Sequence, residues 1–575
     1  MKRILQYIRP FYFYIAVTMT IKFIGTVMEL LIPRLLEIML DVAVPQGKKQ
    51  FILLIGGAML LCAIVCVVAN IVANRMSAKS AGGVTHKLRY DLFEKINRLS
   101  ARQLDDITIP SAVSRLTSDT YNVNQLLARM QRLGVRGPIL LLGGIVITLF
   151  MNVKLALIMI GTLPIIALVV YYVTKISVPM YTRQQGVLDQ AVRVVQENIT
   201  GIRVVKALCR TDYEKQRFHG VNATLCEAER KAGAVAAVTN PVTSLILNLA
   251  LTAVILVGAI GVNQGEIQPG VILSFQSYFT MILNAMLGVT RIFTMWTKGE
   301  ASANRVADVL EMEEQLEAKP SDIKTNESSA AIEFKKVSFS YNGAVDNLSE
   351  ISFSLESGQT LGILGPTGSG KSTIVSLLLR FYDADQGDIY LNGKNIKNIP
   401  YETLREKFGI VFQNDFIMEG SIENNIRFFR DIDSAALAAA VTDAQASFIN
   451  EKENGMAYEV AVRGNNLSGG QKQRLFIARA LASRPEILVL DDASSALDYR
   501  TDASLRKAIA QNYRDTTKII IAQRVSSVMH ADLILVLEEG KIIGKGRHEE
   551  LLKTCAMYQN IARTQMNLTE EQENG

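Results

Sequence analysis

GPTGSGKST (365–373) sets glycines at 365, 368 and 370 around a lysine and a closing Ser-Thr pair. The strand-like TLGIL precedes it and the helical STIVSLLLRFY follows, the context that the pattern G-x-x-x-x-G-K-[ST] requires. Gly365, Gly368 and Gly370 let backbone N–H groups curl around phosphate oxygens, and the start of a helix favours an anion. Pro366, Thr367, Ser369 and Thr373 complete that loop. Lys371 would reach β and γ phosphates, and the Ser372 hydroxyl would hold Mg²⁺. The residues therefore point to ATP with Mg²⁺.

A second stretch, ILVLDDASSALD (487–498), runs four apolar residues into two adjacent carboxylates, Asp491 and Asp492. A buried strand that ends in acids can present a metal ligand and a base for water activation.

The elements that must position these residues fall into two halves. At 575 residues the chain exceeds one core, and with 49% hydrophobic against 20% charged residues a membrane-embedded portion is expected. Segments 13–32, 51–73, 138–151, 155–173, 241–262 and 271–296 are apolar, most of them near the ~20 residues that cross a ~30 Å hydrocarbon core as a helix. Asn152-Val153-Lys154 and NQGEIQPG read as short turns. Residues 74–137 and 174–240 are polar yet helical in pattern, which suits membrane helices continuing into the cytoplasm. They are rich in Lys and Arg, so the positive-inside tendency places them, both termini and the second half in the cytoplasm of a multi-pass plasma-membrane protein. No cleavable signal is expected after the basic, aromatic start MKRILQYIRPFYFY. The net charge of +6 fits that basic bias, and no basic-aromatic motif suggests nucleic acid. The five cysteines show no metal-ligand spacing.

A polar stretch separates the halves. The expected division is 1–315 for the helical membrane domain with its extensions, 316–330 for a linker, 331–566 for an α/β domain with a largely parallel sheet, and 567–575 for an acidic tail.

LSGGQKQR (467–474), ahead of ILVLDD, resembles the signature motif of ATP-binding cassette (ABC) proteins. The resemblance places Tyr341 as the adenine-stacking aromatic, Gln413 as the Q-loop, Asp491 as the metal-side acid and SALD (495–498) as the D-loop. Ser372, Gln413 and Asp491 are then the Mg²⁺ ligands. ENITGIRVVKAL (197–208) and SRLTSDTYNV (114–123) resemble cytoplasmic helices of the exporter branch. Membrane spans fused ahead of one cassette have the half-transporter layout, with no peptidase-like domain before the spans. In that family Leu467, Ser468, Gly469, Gly470 and Gln471 complete the nucleotide site of a partner subunit; alone they also suit a helix N-cap.

The chain departs from the family at three places. The acid after Asp491 is usually Glu, and Asp492 is shorter by roughly 1.5 Å, where a misplacement of about 1 Å can cost on the order of 100-fold in rate. The switch position, usually His, is Gln523, which cannot exchange a proton near neutral pH. Val462 stands where exporters often carry Glu. These changes resemble the degenerate-site subunit of a heterodimeric exporter, with drift as the plainer reading. The cargo expected is an amphipathic or drug-like molecule, from the aromatic and Met-rich segment 271–296, although helix packing explains those residues too. Lys22, Glu29 and Arg291 are candidate functional charges within the spans. A lipid or lipopeptide translocase, a regulatory membrane ATPase and a homodimeric pump using Asp492 as base are the alternatives.

Overall fold

The computed structural model describes residues 2–313, 330–343 and 345–566. The linker and the tail expected from sequence lie outside those residues, apart from Ala330. Two compact units emerge: residues 1–95 with 113–311, and residues 96–112 with 312–575. The division is not one cut in the chain, because a short segment of the first half belongs to the second unit.

The first unit is helical. Its elements are α1 (Lys2–Ile8), α2 (Tyr12–Ile38) and α3 (Lys49–Arg98), the last running on into the second unit. Two further short helices, α4 (Ala101–Ile107) and α5 (Ile109–Ser114), lead into α6 (Thr120–Met151). There follow α7 (Val153–Thr200), α8 (Ile202–Ala207), α9 (Thr211–Ala237), α10 (Thr239–Asn263) and α11 (Pro269–Leu310). Among the described residues five helical stretches are long and apolar enough to cross a membrane. The sixth long helix, α11, has 42 residues and no charged side chain from 269 to 290.

The polar extensions are less continuous than their pattern suggests. Ser100 caps α4 through a reciprocal pair with Gln103, Thr108 turns the chain at φ 65°, and α8 is set off at Gly201. The expected turns are present, and Lys154 in one pairs with Glu266 in the other at 2.8 Å. Hydroxyls join helices where lipid offers no partner: Tyr278 donates to the Leu30 carbonyl at 2.7 Å and Ser274 to the Pro33 carbonyl at 2.6 Å. Lys22 is buried and donates to Asn70, and Glu29 pairs with Arg136. The side chain of Arg291 lies outside the described residues.

In the second unit, β1 (Ile332–Phe339), β2 (Leu348–Leu355), β4 (Gln386–Leu391) and β5 (Lys394–Asn395) form an antiparallel sheet in the order β2-β1-β4-β5. The central sheet has the order β12-β11-β3-β10-β9-β6, with β3 (Thr360–Leu364), β6 (Phe408–Val411), β9 (Ile487–Asp491), β10 (Thr517–Ile521), β11 (Leu533–Glu538) and β12 (Lys541–Gly546). Only β12 runs antiparallel. A small ladder joins β7 (Gly420–Ser421) to β8 (Glu459–Val460). The β9 residues are buried throughout, as expected for a parallel strand covered on both faces. Helix α12 (Lys371–Leu378) follows β3. The helices α13 (Tyr401–Glu406), α14 (Ile422–Arg427) and α15 (Ser434–Asp443) precede α16 (Gly469–Leu481), which leads into β9.

Gly409 on β6 is where α16 approaches the sheet. A Cβ there would meet the Ala480 carbonyl oxygen at 2.3 Å and Pro485 at 2.6 Å. A backbone carbonyl has nowhere inexpensive to move, so Gly409→Ala costs about 1–3 kcal/mol of overpacking. Thermal unfolding of the purified chain is expected to show the cassette transition lowered by several degrees; an unchanged transition would mean that α16 does not bear on β6.

Candidate functional site

Strands β3, β10, β9 and β6 are parallel neighbours, so the segments leaving their carboxyl ends share one edge of the sheet. Ile521 of β10 lies opposite Ile363 on one side and Asp491 on the other. The chain thereby delivers the glycine loop after β3, Gln523 after β10, Asp491 and Asp492 at the end of β9, and Gln413 after β6. A cavity of about 240 Å³ at that edge is lined by Thr367, Gly368, Gly370, Lys371, Ser372, Thr373, Gln413, Asp491, Asp492 and Gln523. With Asn347, these positions lie between 347 and 523 in the sequence and meet in one cavity.

Gly368 and Gly370 have φ of 85° and 96°, in the left-handed region. Lys371 donates to the carbonyls of Gly365 at 2.8 Å and Pro366 at 2.7 Å. Burial pushes its pKa below the usual lysine range, against the pull of Asp491 and Asp492. The Ser369 hydroxyl is buried and has no hydrogen-bond partner among the described residues. An orphaned donor and a desolvated cation beside a left-handed glycine turn suit an incoming phosphate.

Ser372 donates to Asp491 at 2.7 Å. Among the described residues no cluster of three His, Cys, Asp or Glu exists that could cage a metal ion. One carboxylate, one hydroxyl and an amide suit Mg²⁺, which keeps waters and takes substrate phosphates as its remaining ligands. Asp492 lies in the left-handed region, with φ 51°, and donates its N–H to the Ile521 carbonyl at 3.0 Å. Asp tolerates that conformation better than most residues. Burial raises the pKa of the Asp492 carboxyl, opposed by Arg524 and Lys371.

Tyr341 stands beside this cavity rather than in its lining. Its hydroxyl is 3.4 Å from Thr373 Oγ1, and its ring packs edge-on against Phe339 and Tyr382, centroids 4.9 and 5.1 Å away. Tyr382 in turn donates to Asp105 of α4 at 2.6 Å, and Arg102 of α4 donates to the Ser340 carbonyl at 3.0 Å. A segment from the first half of the sequence is thus held against the aromatic cluster that contains Tyr341.

The signature residues lie outside the cavity. Ser468 caps α16, accepting from the Gln471 N–H at 3.3 Å while its own N–H donates to Gln471 Oε1 at 3.0 Å. The N-cap role and the free N-terminal face coexist, because the cap uses one donor of the first turn. Val462 is exposed on a short turn before this helix.

Three residues given no role in the sequence reading hold the motifs in place, one of them, Gln473, inside LSGGQKQR itself. Gln473 donates to Ser495 Oγ at 2.8 Å and accepts from the Ala496 N–H at 2.8 Å, tying the SALD segment to α16. Gln565, on the last helix, donates to the Gln523 carbonyl at 2.9 Å and accepts from the Val525 N–H at 2.8 Å. Asn347 lines the cavity and accepts from the Tyr341 N–H at 3.0 Å. A lone amide carries no local signal, so only the fold reveals these partners. Arg479 adds a further link, donating to the carbonyls of Phe416 and Asn425 at 2.9 and 2.8 Å and pairing with partly buried Asp415 at 3.3 Å.

Burial raises the Asp491 carboxyl pKa above its ordinary 3.8, despite the hydrogen bond from Ser372. The folded chain therefore binds that proton more tightly than the unfolded chain, and stability falls as pH rises through the window above 3.8. Asp491→Asn removes the buried charge. Without nucleotide it is expected to raise the melting temperature at pH 7.5, by a margin that shrinks on acidification, while abolishing the extra stabilisation that Mg-ATP gives. Scanning fluorimetry across pH checks this; a melting temperature that drops at pH 7.5 would refute the burial argument.

Comparison with known proteins agrees with this arrangement. Residues 15–286 match the family model for the ABC transporter transmembrane region, and residues 348–495 match that for ABC transporter. The chain is 33% identical over 572 residues to the uncharacterized ABC transporter ATP-binding protein YfiB of Bacillus subtilis, covering 98% of each. It is 32% identical over 480 residues to a protein of Desulfotalea psychrophila named ATP-dependent lipid A-core flippase, covering 83% of each. The solved structure of a bacterial Atm1-family ABC exporter with ATP bound superposes with a TM-score of 0.80 at 25% identity, over 96% of this chain and 98% of that one. With both regions matched and relatives aligned along nearly its whole length, the chain belongs to the ABC transporter family, as a multi-pass half-transporter of the exporter type carrying an ATP-hydrolysing cassette.

Proposed function

We propose that the chain is one half of a heterodimeric exporter that uses ATP to move amphipathic or drug-like small molecules out across the cytoplasmic membrane. The observation that carries the proposal is the pairing of Asp492 and Gln523 in the same cavity as Lys371 and Asp491. In this reading Lys371, the loop residues 365–373 and Tyr341 bind ATP, and Ser372, Gln413 and Asp491 hold Mg²⁺. The metal would neutralise charge developing on the transferred phosphoryl group. Asp492 then sits too far back to align water well, and Gln523 contacts phosphate without proton exchange. Hydrolysis falls mainly to the site that residues 467–471 complete for a partner half-transporter. Termini and cassette face the cytoplasm, consistent with short turns at one end of the helical unit and long basic extensions at the other.

Lipid translocation is the second reading, favoured by the relative named as a lipid A-core flippase. The left-handed backbone at Asp492 also offers a plain reason for Asp over Glu, and it favours a homodimeric pump only if Asp492 works as base.

Mg-ATP turnover separates these readings. The purified chain alone is expected to be nearly silent. Its complex with a partner half-transporter turns over, and Ser468→Arg in this chain abolishes that activity. In the lone chain, Asp492→Glu with Gln523→His is expected to raise turnover by about tenfold or more, given the cost of a misplaced base. Brisk turnover by the unmodified lone chain, lost on Asp492→Asn, would defeat the heterodimer reading.

A further inference from the structure

Three of the aromatic residues that suggested a lipophilic cargo are closed off, although Trp296 is exposed. Phe275, Tyr278 and Phe279 of α11 are 1%, 0% and 4% exposed, packed into the unit's own interior. The face of α11 that remains exposed carries Gln276, Thr280 and Asn284, spaced by one helical turn each. That stripe lines a cavity of about 420 Å³ together with Glu29 of α2 and Arg136 of α6.

Glu29 and Arg136 lie within Arg3–Ala43 and Ile109–Met151, two of the helical stretches long and apolar enough to cross a membrane. Each is about 21–22 Å before the helical end and so inside the span of a ~30 Å hydrocarbon core. Arg136 grips Glu29 through Nη2 at 2.6 Å and Nε at 3.2 Å, leaving the outer edge of the guanidinium uncommitted to that pair. Its side chain is 42% exposed, against 19% for Glu29, so the cation is the more accessible partner. Lys22 is within electrostatic reach of Glu29, Arg136 and Arg132, but neither Lys22 nor Arg132 lines the cavity, and Arg136 is the one cation of its described lining. Among the described residues the side-chain amides of Gln276 and Asn284 have no hydrogen-bond partner. Polar groups at this depth are costly unless something engages them.

We propose that this cavity is a cargo-binding subsite for amphiphiles with an anionic head, a phosphate or carboxylate on an apolar tail. The head takes the remaining guanidinium donors of Arg136 and the amide donors of Gln276 and Asn284. Met281, Leu133 and Leu140 of the same lining receive the first carbons of the tail. The inference rests on the exporter reading and narrows its substrate class, turning it from lipophilic drugs towards lipid-like anions.

The test is binding of radiolabelled dodecyl phosphate and dodecyltrimethylammonium to the full chain in phosphatidylcholine nanodiscs, with empty discs subtracted. The phosphate is expected to bind about tenfold tighter or more, the scale of one charge-assisted contact. Glu29→Gln with Arg136→Gln, which keeps the polar shape, should bring the two probes within about twofold. Gln276→Leu with Asn284→Leu should weaken the phosphate several-fold and serves if the first variant does not fold. Equal binding of both probes, or a preference that survives both variants, overturns the proposal. Displacement of dodecyl phosphate by phosphatidic acid placed in the disc assigns the head to a membrane lipid; no displacement assigns it to a soluble amphiphile. Mg-ATP turnover of the partnered complex is followed in parallel. Anion preference without turnover sinks the exporter reading alone, and turnover without anion preference sinks this inference alone.

Discussion

The parallel alignment of β3, β10, β9 and β6 is the constraint on which the nucleotide site depends. Parallel neighbours place their carboxyl ends at one edge, so four segments far apart in sequence converge without a dedicated scaffold. Burial on both faces holds the register, since slipping by one residue would turn Asp491 from the cavity into the core. The same burial removes water from Lys371 and Asp491 and leaves each shifted against its charged form. A desolvated cation and a desolvated acid thus stand within electrostatic reach of each other, each held against its charged form.

Helix α16 extends this logic beyond the cavity. Its N-terminus carries the signature residues, Gln473 ties it to the SALD segment, and Arg479 near its other end reaches Asp415 and Phe416 just beyond Gln413. Arg479 lies partly buried against Phe428 and Phe476, with its charge matched by Asp415. A largely desolvated pair of this kind adds little net stability over an apolar one, but breaking it leaves a poorly solvated charge without its partner. The signature helix and the segment after Gln413 are thereby joined.

In the helical unit the governing term differs, because lipid offers helices no hydrophobic reason to associate. Close approach through small residues and hydroxyl-to-carbonyl bonds takes over. A Cβ on Gly144 would meet Ile282 at 2.7 Å, and Tyr278 and Ser274 of α11 bond to carbonyls of α2. The outcome is an α11 with two faces, aromatic towards its own bundle and polar towards the cavity beside Arg136.

The sequence by itself determined the two-part organisation, the phosphate loop and the acids of β9. Each of these rests on local pattern: long apolar runs need only length to reveal a membrane helix, and GPTGSGKST needs only its flanking strand and helix. The departures at Asp492 and Gln523 were equally legible, since a missing methylene or imidazole is read from the letter alone. Tertiary structure decided what direction and partnership decide. It showed Phe275, Tyr278 and Phe279 turned inward, where composition could not tell a cargo surface from a core. It set α4 among the residues of the cassette unit, and it found Asn347, Gln473 and Gln565 as supports of the motifs. The reason is physical: an amide or an aromatic ring acquires its role from what stands within a few ångströms of it, and those neighbours lie from six residues away, for Asn347 and Tyr341, to 248, for Tyr278 and Leu30.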